Sequence, residues 1–247
     1  MVMFEPQRDF PRAYVALPAL PEDAVLPALK WAFKHSETGA WESVGLRVAQ
    51  RSTIRNVPVL QKLEKHGVRI STDRHTNSNQ SPRGPLIVYR PDVESLVAAE
   101  DFRGASAIVA ISANNEWLQP WVDAYHPEHL GGDVVPPANP TVREPVVWEA
   151  LEAFTGSINS STGLGHPSDF DFVLDGLQQL RKHGYAFTAD ELLAGALKLN
   201  WRGSSAMELH QLASEILAGK NKRYRNRSTV PNSRLLRLWE EQAAGKR

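Results

Sequence analysis

The chain has 247 residues and a mass of 27.5 kDa, and its 28 basic residues balance its 28 acidic residues. Hydrophobic residues make up 42% and charged residues 23%, close to the globular average, which disfavours disordered, collagen-like and coiled-coil chains. The sequence contains no cysteine, so disulfides, thiolate metal sites and cysteine nucleophiles are excluded.

The first residues are charged where a secretory signal would have an apolar run, since they include Glu5, Arg8 and Asp9. No uninterrupted apolar stretch approaches the roughly 18 residues that a membrane span needs. We therefore expect a soluble, cytoplasmic protein that does not contact membranes.

From the N-terminus to about residue 130, short apolar runs rich in β-branched residues alternate with segments of helical periodicity. This alternation is typical of an α/β domain with an open, mainly parallel, Rossmann-like sheet of about five strands. Strands are predicted over Tyr14 to Leu17, Val44 to Ala49, Val68 to Ser71, Leu86 to Tyr89 and Ala107 to Ile111. Helices are predicted over Asp23 to His35, Pro58 to His66, Asp92 to Asp101 and Asn115 to Tyr125. In the last of these, Trp117 and Trp121 are predicted to anchor the core.

A glycine- and proline-rich stretch with few periodic apolar residues follows, and it predicts a linker. Beyond it, every periodic segment indicates a helix. Ser168 is predicted to begin one helix, and Thr188 with Glu191 and Ser205 with Glu208 are predicted capping boxes that begin two more. The sequence therefore predicts an α/β domain over residues 1–132, a linker over 133–145 and a smaller helical domain over 146–247.

Polar and cationic side chains follow the predicted strands at the points where the strands end. In a parallel sheet these ends share one edge, where ligands bind, so the positions predict a crevice for a phosphate or a nucleotide. The predicted ligand- or phosphate-binding residues are Arg51, Ser52, Thr53, Arg55, Arg74, His75, Arg90 and Asn114. The alternative interpretation is that these are ordinary loop and capping residues. The polar segment 73–85 is either a functional loop over this crevice or one without a role.

The patterns that identify common enzyme classes are missing from the sequence. It has no Walker A motif, no Gly-x-Gly-x-x-Gly after a strand and no Gly-x-Ser-x-Gly elbow. Asp123, His126, Glu128 and His129 have donor atoms for a metal, but Pro127 interrupts the helix that would align them. We therefore predict no metal and no cofactor, and the pattern identifies no catalytic residue.

The net charge of zero is the sum of an acidic body, residues 1–219, and a basic end, residues 220–247. Residues 220–247 contain nine cations and two carboxylates, whereas the first 219 residues have 19 cations and 26 carboxylates. The net charges are therefore +7 and −7. The basic end begins with a run of cations around one aromatic side chain, made of Lys220, Lys222, Arg223, Tyr224, Arg225 and Arg227.

Cations contact phosphates and a tyrosine can stack on a base, so the basic run indicates nucleic-acid binding. Four alternatives stay open: docking on the acidic body, binding of an acidic protein, a contact with anionic lipid, and a solvated tail. The preceding helix carries Glu208 and Glu215 and no Arg or Lys, which is a poor recognition helix for the major groove. The sequence thus predicts an accessory protein that binds the phosphate backbone with weak sequence specificity. The alternative function is an enzyme or sensor that binds a nucleotide or phosphorylated small molecule at the sheet edge.

Overall fold

A computed structural model describes residues 9–16, 21–72, 83–113, 115–131, 142–159, 162–226 and 234–245. These residues form two compact units, one made of the described residues up to 131 and the other of those from 142 onward. The first unit has a parallel sheet with helices, and the second is helical.

All pairings in the sheet of the first unit are parallel, as the sequence predicts. Its strands lie in the order β3-β2-β4-β5-β1-β6. β1 therefore lies between β5 and β6, whereas the Rossmann order places the first strand beside the second. The strands are β1 (Arg12–Ala16), β2 (Gly45–Val48), β3 (Arg69–Thr72), β4 (Gly84–Tyr89), β5 (Ala105–Ser112) and β6 (Glu128–His129).

Two apolar cores cover the two faces of this sheet, because successive residues of each strand point to opposite faces. Helices α1 (Pro21–Lys34), α2 (Arg51–Asn56) and α3 (Pro58–Lys65) pack on one face, where Val48 and Tyr89 belong to the core. Helices α4 (Val93–Glu100) and α5 (Gln119–Tyr125) pack on the other face. Val88 belongs to the core on that face. A strand buried on both faces reads as a continuous apolar run, which is why the sequence reveals β4 and β5 clearly.

The second unit contains five described helices, which pack through apolar residues spaced at helical intervals. α10 lies against α6 and α7 through the buried Trp239, and a glycine permits the close approach. A Cβ added at Gly176 of α7 would lie 2.5 Å from Cζ of Phe154 and 3.0 Å from the Trp239 ring. The helices are α6 (Pro145–Ser157), α7 (Pro167–Lys182), α8 (Ala189–Lys198), α9 (Gly203–Leu217) and α10 (Arg234–Gly245).

Several predictions about individual elements are confirmed and others are wrong. The capping box of Thr188 and Glu191 is present, and Pro120 lies in the first turn of α5. The predicted capping box at Ser205 is wrong, because α9 begins earlier, at Gly203. The Glu208 carboxylate, predicted to complete that box, accepts the backbone N–H of Leu164 at 3.2 Å.

Three further differences arise from short elements or local contacts. His166, not Ser168, caps α7, since its ring nitrogen accepts from the Ser168 backbone N–H at 3.4 Å. The two-residue strand β6 is too short to show a period, so the sequence did not reveal it. Trp121 is a core residue as predicted, but Trp117 is 51% exposed because it precedes α5 in a separate 3₁₀ turn.

Candidate functional site

The basic segment of the helical unit is held against α7 by two buried carboxylates. We call residues 220–226, between α9 and α10, the strap. The Asp171 carboxylate is 1% exposed and accepts the backbone N–H of Arg225 at 2.6 Å and that of Asn226 at 2.9 Å. Asp175, one turn further along α7 and 5% exposed, accepts the Tyr224 hydroxyl at 3.0 Å. Bonds to a charged acceptor are stronger than neutral ones, so these contacts fix the strap's backbone.

The side chain of Arg225 also contributes to this attachment. Its guanidinium donates to the carbonyl oxygen of Leu164 at 2.6 Å, and its Cζ lies 3.8 Å from the centroid of the Phe170 ring. Arg225 is thereby bonded to a carbonyl oxygen of the short 3₁₀ turn at 163–165, and its cation lies over an aromatic face. Arg225 is therefore a structural contact of the strap in this conformation.

Strap cations on the α9 side pair with one carboxylate. Lys220 Nζ lies 3.5 Å from Glu215 Oε1, and Lys222 bonds to Glu215 Oε2. The hydrogen bond from Lys222 holds the pKa of Glu215 below its usual value. The side chains of Lys220 and Arg223 are exposed to solvent.

Burial and the hydrogen bond to Asp175 raise the pKa of Tyr224 to about 12 from 10.0. The folded state thus favours the protonated phenol, so its contribution to stability is complete below pH 10 and is lost as the pH rises through about 12. We expect the phenolate absorbance of Tyr224, taken as the difference between the native chain and a Tyr224→Phe variant, to have its midpoint near pH 12. A midpoint near 10 would show that the strap is not attached.

A cationic groove lies beside the strap, where the carboxyl ends of α7 and α9 meet. Its volume is about 380 Å³. Three cations from two separate parts of the chain line it, Arg181 and Lys182 from α7 and Lys220 from the strap. The remaining lining residues are Gln178, Ile216, Gly219 and Asn221.

The local sequence explains why these cations converge. α7 ends at Lys182 and is followed by His183 and Gly184, and α9 ends at Leu217 and is followed by Ala218 and Gly219, with both glycines at positive φ. The last carbonyls of a helix lack partners within it and attract cations. Arg181 is a cation bound in this way, because its guanidinium donates to the carbonyl oxygen of Ile216 near the end of α9. This hydrogen bond joins the two helix ends.

The structure thus separates four of the six predicted nucleic-acid-binding residues into two groups. Lys220 lines the groove and Arg223 is exposed near it in the chain, whereas Tyr224 and Arg225 hold the strap to α7. Lys222 pairs with Glu215, and Arg227 lies outside the described residues. The sequence reasoning missed Arg181 and Lys182. The available signal was the basic pair directly before His183-Gly184, at the end of a predicted helix.

The predicted crevice residues in the α/β unit lie partly where expected. The register pairs Val48 with Tyr89, so Arg51 and Arg90 follow the same edge of the sheet. Arg51, Ser52, Thr53 and Arg55 lie in the short helix α2, where the sequence predicts no helix. Arg51 pairs with Glu64, and Arg55 is exposed. Arg74, His75 and Asn114 lie outside the described residues, as does most of segment 73–85.

Three of the four residues considered for a metal have other side-chain contacts. Asp123 accepts from Gln119 at 2.7 Å, Glu128 accepts the Trp31 indole N–H at 2.8 Å, and the His129 ring packs on Tyr14. Within the described ranges, no three His, Asp or Glu side chains form a group that could hold a metal ion. No helix in those ranges is long and apolar enough to cross a membrane.

The helical part of the chain is similar to a family of known proteins. Residues 143–240 match the family model described as Domain of unknown function (DUF1889). The match covers α6 to α9 and continues into α10 as far as Glu240, which is less than half of the chain. Comparisons with curated proteins and with solved structures each found no match. The helical unit, with its groove and strap, is therefore the part of this chain that is similar to a recognised family.

Proposed function

We propose that the helical unit binds the phosphate backbone of a nucleic acid in the groove between the ends of α7 and α9. The observation that carries the proposal is the convergence of Arg181, Lys182 and Lys220 on one groove of about 380 Å³. Phosphates are bound by clusters of such cations, and the binding does not depend on base sequence. Arg223, exposed on the strap, supplies a further cation on the same segment.

The composition of the neighbouring helix supports weak sequence specificity. α9 carries Glu208 and Glu215 and has no Arg or Lys, so it lacks the long donors that read guanine in the major groove. Tyr224 is bonded to Asp175, so no aromatic ring of the described strap is offered as a stacking platform. The function proposed is that of an accessory protein that contacts nucleic acid through charge.

The experiment neutralises two groove cations and compares the result with a matched pair elsewhere. In Lys182→Gln/Lys220→Gln we expect the affinity for an oligonucleotide, measured by fluorescence anisotropy at low salt, to fall roughly tenfold to a hundredfold. In Lys62→Gln/Lys65→Gln, which removes two exposed cations from the last turn of α3, we expect no change.

Two unrelated oligonucleotide sequences should give the same affinity within about threefold, because phosphates carry no sequence information. Equal weakening by the groove pair and the α3 pair would show that net charge alone governs binding. No measurable binding by the native chain would also contradict the proposal.

A further inference from the structure

The carboxyl edge of the sheet in the α/β unit contains a feature that the proposed function does not use, the divergence of the chain after two neighbouring strands. β2 and β4 are neighbours, yet the chain leaves them in opposite directions. After β2 it enters α2 and α3 on one face, and after β4 it enters α4 on the other. Diverging connections of this kind open a crevice beyond the strand ends, which is where open parallel sheets bind ligands.

Arg90, the residue directly after β4, has an unusual backbone conformation. Its φ is 50°, in the left-handed region that favours glycine, and its backbone N–H donates to the Ile111 carbonyl oxygen at 2.8 Å. The other described non-glycine residues with positive φ, His126 and Asn200, follow helices α5 and α8, where this conformation is common. Arg90 is the one at a strand end. An arginine held where glycine would be relaxed indicates a role for its side chain, which is exposed.

The residue before Arg90 carries a buried polar atom that has no hydrogen bond to any described residue. Tyr89 ends β4 and is 2% exposed, and its hydroxyl has no partner in the part of the chain that the structure describes. Such an atom is costly unless a ligand or water satisfies it. Burial raises the pKa of this phenol, and the positive charge of Arg90 lowers it.

We propose that the crevice beyond β2 and β4 binds a phosphorylated small molecule through Arg90 and the Tyr89 hydroxyl. Arg51, which begins α2 on the β2 side, supplies a second cation when it leaves Glu64. Both side chains of that ion pair are partly exposed, at 55% and 39%, so breaking the pair costs little free energy. This site is independent of the groove in the helical unit.

The test uses the full chain, with inorganic phosphate, ribose 5-phosphate and adenosine monophosphate as probes at ionic strength matched with chloride. Calorimetric titration is expected to show saturable binding of at least one probe, which Arg90→Gly weakens about tenfold or more. Arg90→Gly should not lower the melting temperature, because glycine relaxes the backbone there. Tyr89→Phe should weaken binding several-fold.

Two control variants distinguish the crevice from the groove and from a general effect of a new glycine. Asn200→Gly relaxes a left-handed position in the helical unit and should bind the probe as the native chain does. Lys182→Gln/Lys220→Gln should also leave this binding unchanged. Loss of binding in that double variant but not in Arg90→Gly would assign the phosphate to the groove and overturn the crevice proposal alone. No saturable binding, or binding unchanged in Arg90→Gly, would overturn it as well.

Discussion

Replacing Asp171 by alanine is expected to lower the free energy of unfolding by about 3 kcal/mol or more. The carboxylate is buried and accepts two consecutive backbone N–H groups of the strap, and each bond to a charged acceptor contributes about 1.5 to 3 kcal/mol. Hydrogen exchange of the peptide that covers residues 220–226 should accelerate more than that of α7, because the amides of Arg225 and Asn226 lose their acceptor.

Two further variants show whether this loss comes from the strap. Asp171→Asn keeps one side-chain oxygen and should lie between the native chain and Asp171→Ala in chemical denaturation. Asp169→Ala removes a more accessible carboxylate of the same helix, which accepts one backbone N–H from Asn159 at 3.1 Å, and should cost about 1 kcal/mol. If Asp171→Ala costs no more than Asp169→Ala, the strap is not held as described.

Glu100→Ala is expected to destabilise the α/β unit by about 3 to 5 kcal/mol, since it leaves a buried cation without its carboxylate. Glu100 binds Arg12 through both of its oxygens, at 3.0 Å each, and the two side chains are 7% and 9% exposed. The Trp121 indole N–H donates to the same carboxylate at 2.7 Å. The Arg12 guanidinium also lies 3.9 Å from the centroid of the Tyr125 ring, so it has little access to water.

A double-mutant cycle separates the ion pair from the loss of packing. Arg12→Met/Glu100→Met should be less destabilised than the sum of the two single substitutions, because neither partner is left buried alone. Glu100→Gln should lose less than Glu100→Ala, since it keeps an acceptor for Trp121. Additive single effects in urea denaturation would show that the pair is not coupled.

Much of the fold could be predicted from the sequence because its elements are long or strongly patterned. β4 and β5 are continuous apolar runs, and α8 has a complete capping box. The strand order could not be predicted, because β1 pairs with β5 and β6 through residues far apart in the chain. α2 was missed because its six residues carry a single buried apolar side chain, Ile54.

The candidate site was predictable in its chemistry but not in its geometry. The excess of cations after residue 219 is visible by counting. Counting does not show that Tyr224 and Arg225 bond to α7 and to the turn before it, since their partners lie 49 and 61 residues away. Counting also does not show that Arg181 and Lys182 lie beside Lys220, because that arrangement depends on two helix ends meeting.

The proposed function requires that groove cations neutralise phosphates, and the salt dependence of oligonucleotide binding tests this most directly. The logarithm of the association constant falls with the logarithm of the salt concentration, with a slope of about 0.9 per neutralised phosphate on duplex DNA. We predict that Lys182→Gln/Lys220→Gln reduces this slope by about 1.8 and that Lys62→Gln/Lys65→Gln leaves it unchanged. An unchanged slope in the groove variant would contradict phosphate binding by the groove.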